Sequence, residues 1–277
     1  ELSKLKCKEL GLDKMLITAR VENIQSNKLI EKCNMPFETY IEPFLGSGAI
    51  FYNLEYEFSN KILNDLDTNI CLIHNAVKDF SFHDYNNMCI DVEKTFGNIK
   101  KDKQAYYNFR NFYNETYWNK RNDGGLYLLH LANSCINSML RFGPNGMNQS
   151  FGNRILCLKE DEYNHCHNKL NNTIIHNKSY ENIIPAKLEN TFLFLDPPYE
   201  LKEMTYNNGF KLNAFLNILK TVECKNSIIC YTDVESDISD ELLNYGFKKI
   251  LIRNMRNISP NRKEEIITKE VMYAKIK

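Results

Sequence analysis

The sequence predicts an α/β fold: a doubly wound, mostly parallel sheet carrying a mainly helical insertion. Three observations lead there. A strand, glycine turn and helix stand at Tyr40 to Leu54. A second strand, Lys61-Ile62-Leu63-Asn64-Asp65, follows closely and ends on a carboxylate. A fully apolar run, Thr191-Phe192-Leu193-Phe194-Leu195, stops at Asp196-Pro197-Pro198-Tyr199. Strands alternating with helices, and a strand with no polar face, are the marks of a sheet covered on both sides.

The opening unit is built from Tyr40-Ile41-Glu42-Pro43-Phe44 as strand, Leu45-Gly46-Ser47-Gly48 as turn, and Ala49-Ile50-Phe51-Tyr52-Asn53-Leu54 as the start of a helix. With Asn69 to Val77 as the next helix, residues 40–77 form a βαβα unit. From 80 to 170 the pattern changes to Asn-, Tyr- and Lys-rich helices, with Gly124-Gly125 and a tight turn at Asn145-Gly146. Strand signals resume at Thr173-Ile174-Ile175. They continue with Ser227-Ile228-Ile229-Cys230-Tyr231, Phe247 to Ile252 and Glu270 to Ala274, with helices at Phe210 to Leu219 and Ser239 to Tyr245. The expected organisation is a catalytic domain of residues 26–79 and 172–277, an insertion of residues 80–171, and a helical N-terminal extension of residues 1–25.

Composition excludes several classes. Hydrophobic residues make up 43% of the 277, enough for a core. No apolar run approaches the roughly 20 residues of a membrane-spanning helix. No secretory signal precedes the first motif, so an intracellular, cytoplasmic protein is expected. The nine cysteines include no CxxC pair, against a disulfide framework or zinc ribbon. His165-Cys166-His167 resembles a ligand set, but a polar loop or helix end is the plainer reading, and no metal is expected. Net charge is zero, yet the stretch from Lys248 to Lys263 holds six bases and no acid. A second basic stretch runs from Lys100 to Arg121. Such stripes neutralise phosphates, or are simply solvated faces.

The glycine turn brings backbone close to a ligand and aims a helix start at it. Asp65 then stands where a carboxylate accepts the hydroxyls of an adenosyl ribose, with Asp67 as competitor. Two prolines after a buried strand cannot continue pairing. They end it and leave Asp196 at the carboxyl edge, where open α/β sheets place their sites. An aromatic amino group is a poor nucleophile because its lone pair is delocalised. A carboxylate and a carbonyl accepting its two N–H bonds draw the nitrogen toward tetrahedral geometry. Tyr199 offers a face for a flipped base.

These segments, in this order, resemble the Dam-type adenine-N6 DNA methyltransferases of the alpha arrangement, over about residues 26–275. The resemblance implies a Rossmann-like methyltransferase. It implies transfer from S-adenosylmethionine to adenine N6 in duplex DNA after base flipping, with residues 80–171 as the target-recognition domain. Alternatives on the same fold are an N4-cytosine or RNA methyltransferase, or a catalytically silent DNA-binding relative. The implied catalytic residues are Asp196, Pro197, Pro198 and Tyr199. The implied cofactor residues are Glu42, Phe44, Gly46, Ser47, Gly48, Asp65, Leu66, Ser179, Tyr180 and Asp196. The family opens with a glycine turn and a lysine; here only Ser26-Asn27-Lys28-Leu29-Ile30 is present, so Lys28 takes that place. Arg141-Phe142 to Phe151-Gly152 is similar to the segment that reaches DNA, with Gly143 and Ser150 where asparagine and proline are usual. Asn257 to Arg262 matches the C-terminal pattern. DNA contacts are therefore expected from Arg141, Asn145, Asn148 and Gln149 to bases, and from Arg253, Arg256, Asn261 and Arg262 mainly to phosphates. The expected partner is double-stranded DNA, bound by a monomer or weak dimer, with no membrane.

Overall fold

The computed structural model describes residues 27–28, 30–31, 36–118, 124–152, 158–197, 212–234, 239–257 and 266–276. The expected helical extension of residues 1–25 lies outside them. The chain folds into two compact units. Among the described residues, one comprises those up to 46, 53–66 and those from 172 on; the other comprises 47–52 and those between 67 and 171.

The first unit is built on a seven-stranded sheet in the order β10-β11-β9-β7-β1-β2-β5. Its strands are β1 (Thr39–Glu42), β2 (Asn60–Asn64), β5 (Thr173–His176), β7 (Thr191–Leu195), β9 (Ile228–Val234), β10 (Lys248–Asn257) and β11 (Ile266–Ile276). β1 pairs in parallel with β2 and β7, as do β2 with β5 and β7 with β9. β11 is antiparallel to both its neighbours. The fold is therefore the α/β, mostly parallel sheet that the sequence predicts. The short strands β6 (Lys187–Glu189) and β8 (Glu223–Lys225) pair in parallel outside the main sheet, which the sequence did not suggest.

β7 sits centrally, and all five of its residues are buried. That is why it reads as an unbroken apolar run. On one face Ile41, Leu193, Leu195, Ile229 and Tyr231 pack with Phe215, Leu216 and Leu219 of α7 (Leu212–Thr221). On the other, Tyr40 stacks on its cross-strand partner Phe192, with Phe37, Tyr56 and Phe58 around them. The order of strands matters for function. The chain runs outward from β1 to β2 and β5, then returns to lay β7 on the other side of β1. This reversal is the switch point at which doubly wound sheets open a crevice beyond their carboxyl ends.

The second unit is helical: α1 (Ala49–Tyr52), α2 (Thr68–Asp79), α3 (Phe82–Phe96), α4 (Lys103–Thr116), α5 (Gly125–Ala132) and α6 (Glu160–Lys169). Its starts are legible. Asp67, Ser81 and Asp102 cap α2, α3 and α4, and Ser81 forms a reciprocal box with Asp84. The expected helix after the glycine turn is a single turn, α1. His165 and His167 lie on α6 and donate to the carbonyls of Tyr52 and Val77. A two-residue hairpin, β3 (Phe142–Gly143) and β4 (Gly146–Met147), turns through Pro144-Asn145. The tight turn thus falls one residue before Asn145-Gly146, and Gly146 leaves it at φ +103°.

Candidate active site

Three carboxylates converge at the carboxyl ends of three adjacent strands, β7, β1 and β2. Glu42 ends β1, Asp65 follows β2 and Asp196 follows β7. Register places Glu42 opposite Leu63, so Asp65 stands two residues further along its strand. Asp196 stands similarly beyond the paired part of β7.

Each is held differently. Gly46 donates its backbone N–H to Asp65 Oδ2 at 2.7 Å, tying the glycine turn to the end of β2. Asn177 donates to the backbone oxygens of Asp65 and Leu66 at 2.9 and 3.0 Å. Asp67 instead caps α2, accepting from the backbone and side chain of Asn69 at 2.8 Å each. Asp65 is therefore the carboxylate beside the glycine turn. Buried Asn64 bonds Pro43 O and Lys178 O and accepts from Lys178 N, so one amide fixes the loops after β1 and β5.

Glu42 is 2% exposed and accepts from the Tyr40 hydroxyl at 2.8 Å. Burial pushes its carboxyl well above the usual carboxylate range. The Tyr40 hydroxyl opposes this shift, and the charges of Asp196 and Asp65 add to it. Asp196 Oδ1 accepts from Thr232 Oγ1 at 2.9 Å. Thr232 is buried on β9, the strand beside β7, one position beyond the partner of Leu195.

Phe44 packs on Tyr180 and Phe215 with ring centroids 5.3 and 6.0 Å apart. Tyr180 thus lies in the core beneath the loop after β1. Ser179 stands at the start of that short turn and bonds Glu181 at 3.4 Å. Leu66 is 52% exposed directly after Asp65. Gly46 has φ +51°, and a Cβ built there meets nothing within 4 Å. Open space therefore stands before a turn whose N–H is already engaged by Asp65. Ser47 is half-buried in the same turn. Gly48 has a separate constraint: an added Cβ would fall 2.6 Å from the Tyr52 ring. Lys28 is exposed, and no described contact brings it to the three carboxylates.

A protein-family model described as D12 class N6 adenine-specific DNA methyltransferase matches residues 24–259. The chain belongs to this family. Relatives include the type II methyltransferase M.CviBI of Paramecium bursaria Chlorella virus NC1A, 31% identical over 58% of this chain and 59% of that protein. The DNA adenine methylase of Escherichia coli K12 is 26% identical over 64% of this chain and 62% of its own. That of Haemophilus influenzae is 23% identical over 84% and 82%. The chain spans about three-fifths of the length of the first two relatives. As in any methyltransferase family, a methyl donor is implied.

In this D12-class chain the remaining expected residues fall as follows. Pro197 follows Asp196 and is buried; Pro198 and Tyr199 lie outside the described residues. In the helical unit, Arg141 Nε donates to Asn148 Oδ1 at 2.9 Å, so these two exposed side chains orient one another. Asn145 is exposed in the hairpin turn. Gln149 Oε1 accepts from Ser150 N at 3.3 Å. Arg253 and Arg256 lie on β10 by backbone, opposite Glu270 and Ile267; their side chains lie outside the description, as do Asn261 and Arg262. Sequence reasoning missed Thr232, Tyr40 and the anchoring role of Asn64. Only Tyr40 left a trace, as a polar group two positions before Glu42 and so on the same strand face. Among the described residues, no helix is long and apolar enough to cross a membrane.

Proposed function

We propose that this chain transfers a methyl group from S-adenosylmethionine to the N6 amino group of adenine in duplex DNA, acting on a flipped base. The observation that carries this reading is the placement of Asp196 and Pro197 at the switch point beside β1, with Glu42, Asp65 and the open glycine turn across that strand. The residues fit the cofactor. Asp65 suits a pair of ribose hydroxyls, Leu66 an adenine face, and the space before Gly46 close backbone approach. When bound, S-adenosylmethionine supplies an electrophilic methyl on its sulfonium.

The chain supplies the rest. Asp196 accepts one N–H of the target amino group, and a carbonyl of the proline turn accepts the other. The two acceptors localise the nitrogen lone pair and stabilise the positive charge that grows on it. Tyr199 stacks on the flipped base. We assign residues 80–171 to target recognition, with the Arg141 to Gln149 segment reading bases. The basic stretch of residues 248–263 meets phosphates.

The test is incubation of the purified chain with methyl-labelled S-adenosylmethionine and, separately, duplex DNA, single-stranded DNA and RNA. Nucleoside mass spectrometry follows. N6-methyladenine, formed chiefly in duplex DNA, is expected. N4-methylcytosine, or label in RNA alone, would replace the substrate; no label together with no cofactor binding by calorimetry would make the chain a silent DNA-binding relative.

A further inference from the structure

The hairpin that carries Arg141 and Asn148 has little sheet of its own. β3 and β4 are two residues each, and Asn148 N donates to Arg141 O at 2.9 Å to close the ladder. A two-stranded ribbon this short is not stable alone in water. Something else must hold its shape, and the contacts within the helical unit identify it.

Asn114 of α4 meets the outer edge of β4 with both ends of its amide. Its Oδ1 accepts from Met147 N at 2.9 Å, and its Nδ2 donates to Met147 O at 2.9 Å. The side chain thus takes the place of a neighbouring strand's peptide. Met147 is 1% exposed, so these two backbone groups need partners. One turn back, Arg110 Nη1 donates to Gln149 O at 2.9 Å; one turn further, the Tyr106 hydroxyl donates to the same oxygen at 2.9 Å. Tyr106, Arg110 and Asn114 are spaced by four, one face of one helix. The Arg110 guanidinium also lies 4.8 Å over the Tyr107 ring, which restrains it. Gly146 completes the fit: a Cβ there would stand 2.5 Å from Asn114 Oδ1.

We propose that Tyr106, Arg110 and Asn114 form a rail that fixes the recognition hairpin, and that Asn114 is a specificity-determining positioning residue. The inference rests on the reading of Arg141 to Gln149 as the base-contacting segment. Asn114 itself touches no base. It sets the height and twist at which the Arg141–Asn148 pair is presented, and base-edge readout tolerates little displacement.

The chain's only tryptophan, Trp118, offers a readout that needs no DNA. It stacks on Phe142 of the hairpin at 4.8 Å and 10°. The experiment uses the full chain and two variants: Asn114→Ala, which loses both bonds, and Asn114→Asp, which keeps the acceptor and loses the donor. If the alanine variant folds poorly, the aspartate variant carries the test alone. Expected results are a shifted Trp118 emission and faster hydrogen exchange at the Met147 amide. Discrimination across a randomised duplex library should fall roughly five- to tenfold, within the span one base contact controls. Affinity for S-adenosylmethionine should stay unchanged. Unaltered Trp118 emission and Met147 exchange in both variants would overturn the rail. A loosened hairpin with unaltered discrimination would overturn the role in specificity. Asn148→Ala separates the layers: if it shifts the preferred sequence in that case, only the assignment of Asn114 fails; if it does not, the base-contacting reading of the hairpin fails too.

Discussion

Thr232 donates its hydroxyl to Asp196 across the β7–β9 step, at 2.9 Å. The bond fixes which way the carboxylate faces as β7 ends. Thr232→Val keeps shape and volume but removes the donor. We expect kcat to fall roughly fivefold, corresponding to about 1 kcal/mol for one hydrogen bond, with KM for DNA little changed. Thr232→Ser should restore the rate. Equal defects in the valine and serine variants would mean that packing, not the hydroxyl, matters there.

Asp196→Ala should reduce methyl transfer far more than tenfold, that is by over about 1.4 kcal/mol of barrier, while circular dichroism stays unchanged. The carboxylate acts chiefly where charge develops, so the loss of rate should exceed any loss of cofactor affinity. A variant within tenfold of the parent would remove Asp196 from the chemistry.

Asp65→Ala should weaken S-adenosylmethionine binding by about 1.5–3 kcal/mol, the range for charged hydrogen bonds. DNA affinity should change much less. Because Gly46 N–H also rests on this carboxylate, Asp65→Asn is the informative partner: it preserves an acceptor for Gly46 and removes the charge. Titration calorimetry reads both. Unaltered cofactor affinity in the alanine variant would reject the ribose assignment.

Glu42 links the site to stability. Its carboxyl is held well above the ordinary range, chiefly by burial. The native state therefore keeps a proton that the unfolded chain releases at ordinary carboxylate pH. Stability from this group is present in acid and lost as pH rises toward the folded pKa, with a slope of up to about 1.4 kcal/mol per pH unit. Glu42→Gln should flatten that decline, gaining on the parent as pH rises above the ordinary carboxylate range. Urea unfolding across this interval measures it, and parallel curves would refute the shift.

The sheet was legible because its strands are punctuated. β7 is four apolar residues behind a threonine, ended by Asp196 and two prolines, and β1 is ended by a glycine turn. Asp65 and Asp196 were legible as carboxylates at strand ends. Thr232 was not, because its meaning depends on β9 lying beside β7, and strand order is not local information. The pairing of β6 with β8 escaped for the same reason: Leu188 meets Cys224 through a crossover no short window contains. The rail on α4 was hidden in a helix read as merely polar; its three residues show their purpose only when a hairpin more than thirty positions away is laid against them.

The path that makes the switch point also orders events on the ribosome. Thr39 lies 21 positions from its β2 partner, Asn60, but 152 positions from its other neighbour, Thr191. At 5–20 residues per second, β1 waits on the order of ten seconds with one edge unpaired. During that wait the nascent chain presents Tyr40 and Ile41 beside open backbone hydrogen-bonding groups, the arrangement to which other chains add strands. Codon changes that slow translation between residues 66 and 190 should therefore lower the soluble yield more than the same changes after residue 234.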